Sequence, residues 1–584
     1  MKKFLLLLLV FLIGACAPAA PTTPATIAPP TQTLSSADTF GTALAVDAAT
    51  KAVKPPTPVG TPLPTLVPIT HPGTQSGQMF WWNDTVFYEV FLRSFKDSNG
   101  DGIGDINGLI EKLDYLNDGD PSTTTDLGVT GLWLMPIMES PSYHGYDVVD
   151  FYTVETDYGS NEDFKRLMDE AHKRGIRIVI DLVINHTSTQ SEWFKAADAG
   201  DPNYRDWYIW AEKDPGYLGP WGAQAWHQGK NGYYYAMFWS QMPDLNLNNP
   251  TVTDEVNKII SYWLKDMGAD GFRLDAVKHY IEQGRSQQNT PATHAWLKNF
   301  YQYYKSVNPE AFTVGETWTS PDNSAKYVGD EVDASFEFDL SKAIMTSANG
   351  PSTSTLSTQM QTTLDLYLEG QYAVFLTNHD QDRSMSVLQD DKKAKLAAAM
   401  LLTSPGVPFI YYGEEIGMTG TKPDEDIRRP MQWTGDSASV GFSAGKPWRD
   451  PSSDYPTVNV ANETTDPNSL LNYYRDLIHL RNDHTALRTG HTIVIDSGNR
   501  SVYALLRYDD NEAILILANA DTNPITDYSL NLASGPFSGT LNAVSILGLQ
   551  NPSPPQVNAE GGFSGYLPFT EIPAQSAIII QLEP

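Results

Sequence analysis

The chain has 584 residues and carries 39 Lys plus Arg against 70 Asp plus Glu, a formal charge of -31. The length exceeds what one core uses, so two or three domains are expected, and the charge argues against nucleic acid or an anionic surface as a partner, because both require a basic face. Cys16 is the single cysteine, which excludes an intramolecular disulfide.

Residues 1–16 open with Lys2 and Lys3, continue through an apolar run from Phe4 to Ile13 and end at Gly14-Ala15-Cys16. This is the pattern of a signal peptide, too short for a spanning helix. Ile13-Gly14-Ala15-Cys16 resembles a bacterial lipobox, which implies lipidation at Cys16 and an extracytoplasmic protein that meets the membrane only through that lipid; ordinary cleavage nearby is the alternative. Residues 17–78 are rich in Pro, Thr and Ala without sustained periodicity, so an extended tether is expected there.

From Trp81 onward the sequence alternates strand and helix. Strands are expected at Val86–Val90 and Val129–Met135. Ser160 and Asp163 form a capping-box pair before the helical face Phe164, Leu167, Met168 and Ala171, and Gly175 ends it ahead of Ile178-Val179-Ile180-Asp181. The same unit recurs through Val256 to Met267 before Gly271–Asp275, and through Trp296 to Tyr304 before Phe312–Glu316. Further strands are expected at Ala373–Thr377 and Val407–Tyr412. Alternating units of this kind over about 400 residues imply a parallel sheet and favour a (β/α)8 TIM barrel over 79–186 and 248–488. A doubly wound open sheet is the alternative, but it would more typically carry a Gly-rich phosphate loop, and none is visible. Residues 187–247 are too long for an ordinary loop and hold six of the fourteen Trp, so a small inserted domain is expected after the third strand. Residues 489–584 read as a C-terminal antiparallel β-sandwich domain.

Three acids stand at the ends of apolar runs: Asp275, Glu316 and Asp380. Strand ends fix a carboxylate in place while leaving it open to substrate, which suits acid/base and nucleophilic chemistry. Arg273 lies two residues before Asp275, on the same side of its strand, and His379 directly precedes Asp380.

The runs Asp181–His186, Gly271–His279, Val314–Glu316 and Phe375–Asp380 resemble, in order and spacing, the four signature motifs of the α-amylase family of glycoside hydrolases, and the likeness spans residues 80–584. It implies a retaining enzyme with Asp275 as nucleophile, Glu316 as acid/base and Asp380 as stabiliser of an oxocarbenium-like transition state. Two such carboxyls must differ in protonation, so Glu316 is expected to be raised and Asp275, beside Arg273, depressed. The likeness also implies that Tyr146 stacks beneath the sugar at the cleavage site and that His186, His379 and Arg273 serve the same subsite.

Asp97, Asn99, Asp101, Ile103 (through its carbonyl) and Asp105 place oxygens at alternate positions, like the first part of a calcium loop. Gly108 stands where a helix-loop-helix site has its bidentate Glu. The loop instead resembles one in the oligo-1,6-glucosidase branch, which implies calcium or magnesium; we expect calcium. A solvated acidic turn is the plain alternative.

Ala276 and the pair Lys278-His279 resemble α-1,4-acting members, the pair as leaving-group contacts. Met242-Pro243-Asp244-Leu245-Asn246 resembles a group intermediate between oligo-1,6-glucosidases and neopullulanases. Arg428 is a further candidate substrate contact, in a stretch that departs from the oligo-1,6-glucosidase pattern at Arg429. The expectation is an endo-acting α-amylase on starch, glycogen or maltooligosaccharides. Its rivals are an α-glucosidase or maltodextrin-processing transglycosylase and, more distantly, a non-catalytic glycan-binding protein. No obligate protein partner is evident.

Overall fold

A computed structural model describes residues 80–583; the expected signal segment, Cys16 and tether lie outside the described residues. Eight strands close a parallel barrel in chain order: β1 (Phe87–Val90), β2 (Gly131–Leu134), β3 (Arg177–Leu182), β4 (Gly271–Leu274), β5 (Phe312–Gly315), β6 (Ala334–Phe336), β7 (Tyr372–Phe375) and β8 (Val407–Tyr411). β8 returns to β1, with Phe409 opposite Phe87. Strands covered on both faces read as near-continuous apolar runs, and these are buried along nearly their whole length. Phe87, Trp133, Phe312, Phe336, Phe375 and Phe409 fill the interior, so the barrel is a packed core and not a channel.

The helices follow their local signals. Ser160 and Asp163 cap each other's backbone N–H at the start of Asn161–Lys173, whose Phe164, Leu167, Met168 and Ala171 are buried as the periodicity requires. Each of the larger of these side chains contributes roughly 1.5–3 kcal/mol by leaving water. The helix Pro250–Ser261 widens into a π turn over Tyr262–Asp266, which the periodicity does not signal. Trp263 remains buried on that turn and donates Nε1–H to the Phe151 carbonyl at 2.8 Å.

The opposite end of the barrel has a floor. Trp82 stacks on Phe312 and on Phe80, and Asn83 donates to the Gly370 carbonyl just before β7. Trp81 donates to the Glu310 carbonyl just before β5 and lies against Arg177 at the start of β3.

After β3, a bridge between His186 and Asp244 ties together the two ends of the inserted segment. Trp210–Ala211, Trp226–Gly229 and Gly232–Tyr235 form a three-stranded antiparallel sheet within it, around Ala225, Trp226, Tyr235 and Met237. The C-terminal sheet comprises β9 (His491–Val494), β10 (Val502–Tyr508), β11 (Ala513–Asn519), β12 (Asn542–Leu547) and β13 (Ser576–Glu583), in spatial order β9-β10-β11-β13-β12. Along β10, Tyr503 and Leu505 face the barrel core, while Ala504 and Leu506 face a second core shared with the two-stranded ribbon of Leu530–Leu532 and Phe563–Tyr566. That alternation is the period of two expected of a strand covered by different partners on its two faces. Arg481 and Arg507 hold the junction by donating to the carbonyls of Leu402, Thr403, Ser404 and Gly406, which lead into β8, and to that of Gly490.

Candidate active site

The barrel ladder runs one residue past β4 and β5. Asp275 N–H donates to Leu182 O at 3.4 Å and Glu316 N–H to Leu274 O at 2.9 Å, so both acids start from fixed backbone. Ala276 then sits at φ +52°, a left-handed conformation that costs a non-glycine residue on the order of 1 kcal/mol. It turns the chain sharply and brings its own N–H to 3.3 Å from Glu316 Oε2.

Arg273, 1% exposed, is the hub. Its Nη1 lies 3.0 Å from both oxygens of Asp181 and 2.7 Å from Asp275 Oδ1, and its Nη2 lies 2.7 Å from Glu316 Oε2. The register explains this, because Arg273 is opposite Asp181 on β3 and Val314 on β5. One guanidinium thus serves three carboxyls.

That sharing corrects one expectation. Asp275 is not depressed: burial pushes it up to about 6 against the pull of Arg273, with the Asp181 charge adding to the rise. Burial also pushes Glu316 up to about 7, again opposed by Arg273, with Asp275 and Asp380 reinforcing the shift. The order expected for the pair is kept, with Glu316 the weaker acid. Asp380 behaves differently: burial disfavours its charge, yet His379, Arg428 and Lys422 together hold it well below the usual carboxylate range.

His379 is bracketed. Its Nδ1 lies 2.6 Å from Glu89 Oε1, and its Nε2 lies 2.7 Å from Tyr146 Oη and 3.3 Å from Asp380 Oδ2. Burial opposes its protonation, but Asp380 and Glu89 outweigh burial and raise it. Tyr146 also donates to Asp181 at 3.1 Å, and His186, which burial pushes down to about 4, donates Nε2–H to the Tyr146 carbonyl at 2.9 Å. The structure therefore gathers Tyr146, His186, Arg273, Asp275, Glu316, His379 and Asp380 at and beyond the C-terminal ends of β2, β3, β4, β5 and β7.

Three other residues named from sequence are placed less directly. Arg428 is buried behind Asp380, with Nη2 2.9 Å from Asp380 Oδ1 and Nε 3.0 Å from His379 O. Lys278 donates to the Trp318 carbonyl. His279 is buried, its Nδ1 2.8 Å from Gln287 O and its Nε2 without a partner.

The loop of Asp97, Asn99, Asp101, Ile103 and Asp105 is closed by its own backbone. Asp97 accepts from the N–H groups of Asn99, Gly100 and Gly102 and from the Ser443 hydroxyl, Asn99 accepts from Asp101 N–H, and Asp101 accepts from Ile103 N–H. Asp105 caps the helix Ile106–Glu111. Gly102, at φ +93°, is required because a Cβ there would lie 2.0 Å from the Lys446 carbonyl. Among the described residues no three His, Cys, Asp or Glu side chains converge as a metal cluster. The fit to a cation is therefore partial: the oxygens alternate correctly, but much of their bonding capacity is turned onto N–H groups.

Sequence reasoning left out Glu89, and it left out Asp181 as a partner of Arg273. Both carried a signal, as charged residues within or ending apolar strand runs. Asp244, which accepts from Asn185 at 3.1 Å across the base of the insert, is a partner that no local pattern identifies.

A buried acid near neutrality beside a second carboxyl and a firmly ionised third is an arrangement for proton transfer to a leaving group with attack on the carbon left behind. The catalytic-domain model "Alpha amylase, catalytic domain" matches residues 89–490. Alpha-amylase 3 of Dictyoglomus thermophilum is 42% identical over 448 residues, covering 75% of this chain and 85% of its own. An oligo-1,6-glucosidase of Parageobacillus thermoglucosidasius is 33% identical over 521 residues, covering 75% and 90%. The structure of an alpha-amylase from H. orenii matches with a TM-score of 0.75 at 40% identity over 85% of this chain and 99% of that one. With its closed barrel, its strand-end acids and these matches, the chain belongs to the α-amylase family and is a glycoside hydrolase of that type.

Proposed function

We propose that this protein is a retaining, endo-acting α-amylase that hydrolyses internal α-1,4 bonds of starch, glycogen or maltooligosaccharides. The observation that carries the reading is the pairing of Asp275 and Glu316 on adjacent nitrogens of Arg273, with Glu316 the weaker acid. Asp275 attacks the anomeric carbon while Glu316 gives its proton to the departing glycosidic oxygen, forming a covalent glycosyl-enzyme. Glu316 then takes a proton from water, the oxygen of that water attacks the same carbon, and Asp275 leaves. Asp380, held anionic, stabilises the positive charge that develops in both steps. Tyr146, His186 and His379 hold the sugar at this centre; Arg273 and Arg428 keep the acids in place.

Support for α-1,4 specificity comes from the small Ala276 beside Asp275, from Lys278 and His279 in the next turn, and from the alpha-amylase relatives. A relative named trehalose synthase/amylase from Mycolicibacterium smegmatis, 35% identical over 489 residues and covering 73% of this chain and 80% of its own, favours the rival reading of chain-end or transfer activity. A maltoheptaose blocked at its non-reducing end separates the two: cleavage at internal bonds supports the proposal, and an uncut blocked substrate beside a consumed free one sinks it.

The proposal extends to a calcium ion held by Asp97, Asn99, Asp101, the Ile103 carbonyl and Asp105, where it would stiffen the loop and take no part in the reaction. It also includes an extracytoplasmic position through a lipid on Cys16, supported by the sequence of the first sixteen residues.

A further inference from the structure

Two large aromatic side chains near the site are left in solvent: Trp221, 59% exposed, and Trp318, 46% exposed. Single exposed apolar residues are common, but these two have structural support. Trp221 stands at the tip of a closed turn in the insert. Leu218 bridges Gln224, Gly219 N–H donates to Ala223 O at 2.8 Å, and Gly222 N–H donates to Gly219 O at 3.0 Å. That makes Gly219-Pro220-Trp221-Gly222 a β-turn with proline at its second position, which fixes the backbone that presents the ring.

The ring does not drift away from the site. It lies 5.4 Å from His279 and 5.2 Å from Phe238, and Phe238 lies 5.5 Å from His186, whose imidazole is bonded to the Tyr146 carbonyl. Lys278, next to His279 in the turn Val277–His279, holds the Trp318 carbonyl, and the Trp318 ring stacks flat on Phe338 at 4.5 Å. Trp221 and Trp318 therefore flank Lys278-His279, which follows Asp275 by three and four residues. His279 is itself held in place, its Nδ1 2.8 Å from the Gln287 carbonyl, so the Trp221 ring rests against a fixed imidazole.

We infer that Trp221, carried on the rigid turn of the insert, is a stacking platform for glucose units on the leaving-group side of the scissile bond and sets the preference for long glucans. An indole offers a flat apolar face with a polar edge, which matches the C–H face of a pyranose. The inference rests on the α-glucan reading above.

The test compares wild type, Trp221→Ala and Trp221→Phe on maltoheptaose and on 4-nitrophenyl α-maltoside, whose aryl leaving group does not extend as far as a second glucose. The Ala variant is expected to lose about tenfold more kcat/KM on maltoheptaose than on the aryl maltoside, mainly through KM, as loss of one ring contact predicts. The Phe variant should recover most of that difference. Equal losses on the two substrates, or none on either, overturn the inference. A wild type that leaves maltoheptaose uncut instead refutes the α-glucan reading, so the two failures are distinct.

Discussion

Arg428 invites a quantitative test because the structure places it behind the reacting groups instead of against the sugar. Its Nη2 lies 2.9 Å from Asp380 Oδ1, its Nε holds the His379 carbonyl, and its side chain is 3% exposed. At that separation, with an effective dielectric constant near 20, the attraction is about 6 kcal/mol before desolvation. The Asp380 side chain is 35% exposed, so water screens part of it, and truncating the arginine should cost about 2–3 kcal/mol of transition-state stabilisation. In Arg428→Gln this becomes a roughly 30- to 150-fold fall in kcat/KM on maltoheptaose, carried by kcat. A second signature follows from charge. With the guanidinium gone, burial acts on Asp380 with less opposition and its acidity weakens, but Asp275 near 6 still sets the acidic limb, so that limb stays in place while the plateau of the pH–rate profile falls. Arg428→Lys should restore part of the lost rate. Steady-state kinetics between pH 4 and 9, with a melting curve to confirm folding, measure all of this. A variant within threefold of wild type, or a loss confined to KM, refutes the positioning role and returns Arg428 to direct substrate contact.

Two further outcomes are expected. Glu316 must hold its proton to act as an acid and Asp275 must have lost its own to attack, so activity should fall as pH rises through about 7 and again as it drops below about 6. With an α-maltosyl fluoride, whose leaving group needs no proton, Glu316→Gln should form the glycosyl-enzyme without the alkaline limb; a limb that persists near pH 7 assigns it to another group. Removing divalent cations with EDTA should lower the melting temperature and added calcium should restore it, and an unchanged melting temperature refutes a bound ion.

Seven of the eight barrel strands were legible because they are apolar runs, several ending in a polar residue, and because each of the clearest helices has a cap or a glycine stop; the three-residue β6 (Ala334–Phe336) was not, being too short to make a run. Ser160, Asp163 and Gly175 act locally, so they read the same in sequence and in structure. The π turn at Tyr262–Asp266 did not announce itself, because one extra residue in a turn leaves the apolar spacing nearly intact. At the site, residues named by type and order were brought together, but electrostatics were not additive along the chain. Arg273 next to Asp275 suggested a depressed carboxyl, and only the fold reveals that Asp181 and Glu316 draw on the same guanidinium. Asp244 and Trp221 depend on how the insert folds back, which no short-range pattern encodes.

The aromatic floor built from Phe80, Trp81 and Trp82 has a practical corollary. It seals the pole of the barrel opposite the acids, and the described chain begins there. Fixing the enzyme to a bead or an electrode through the segment upstream of Phe80 should turn its mouth toward the bulk solution, whereas random coupling through surface lysines should obstruct a share of the molecules. The ratio of activity on starch granules to activity on maltotriose, compared between the two couplings, reads out that polarity directly.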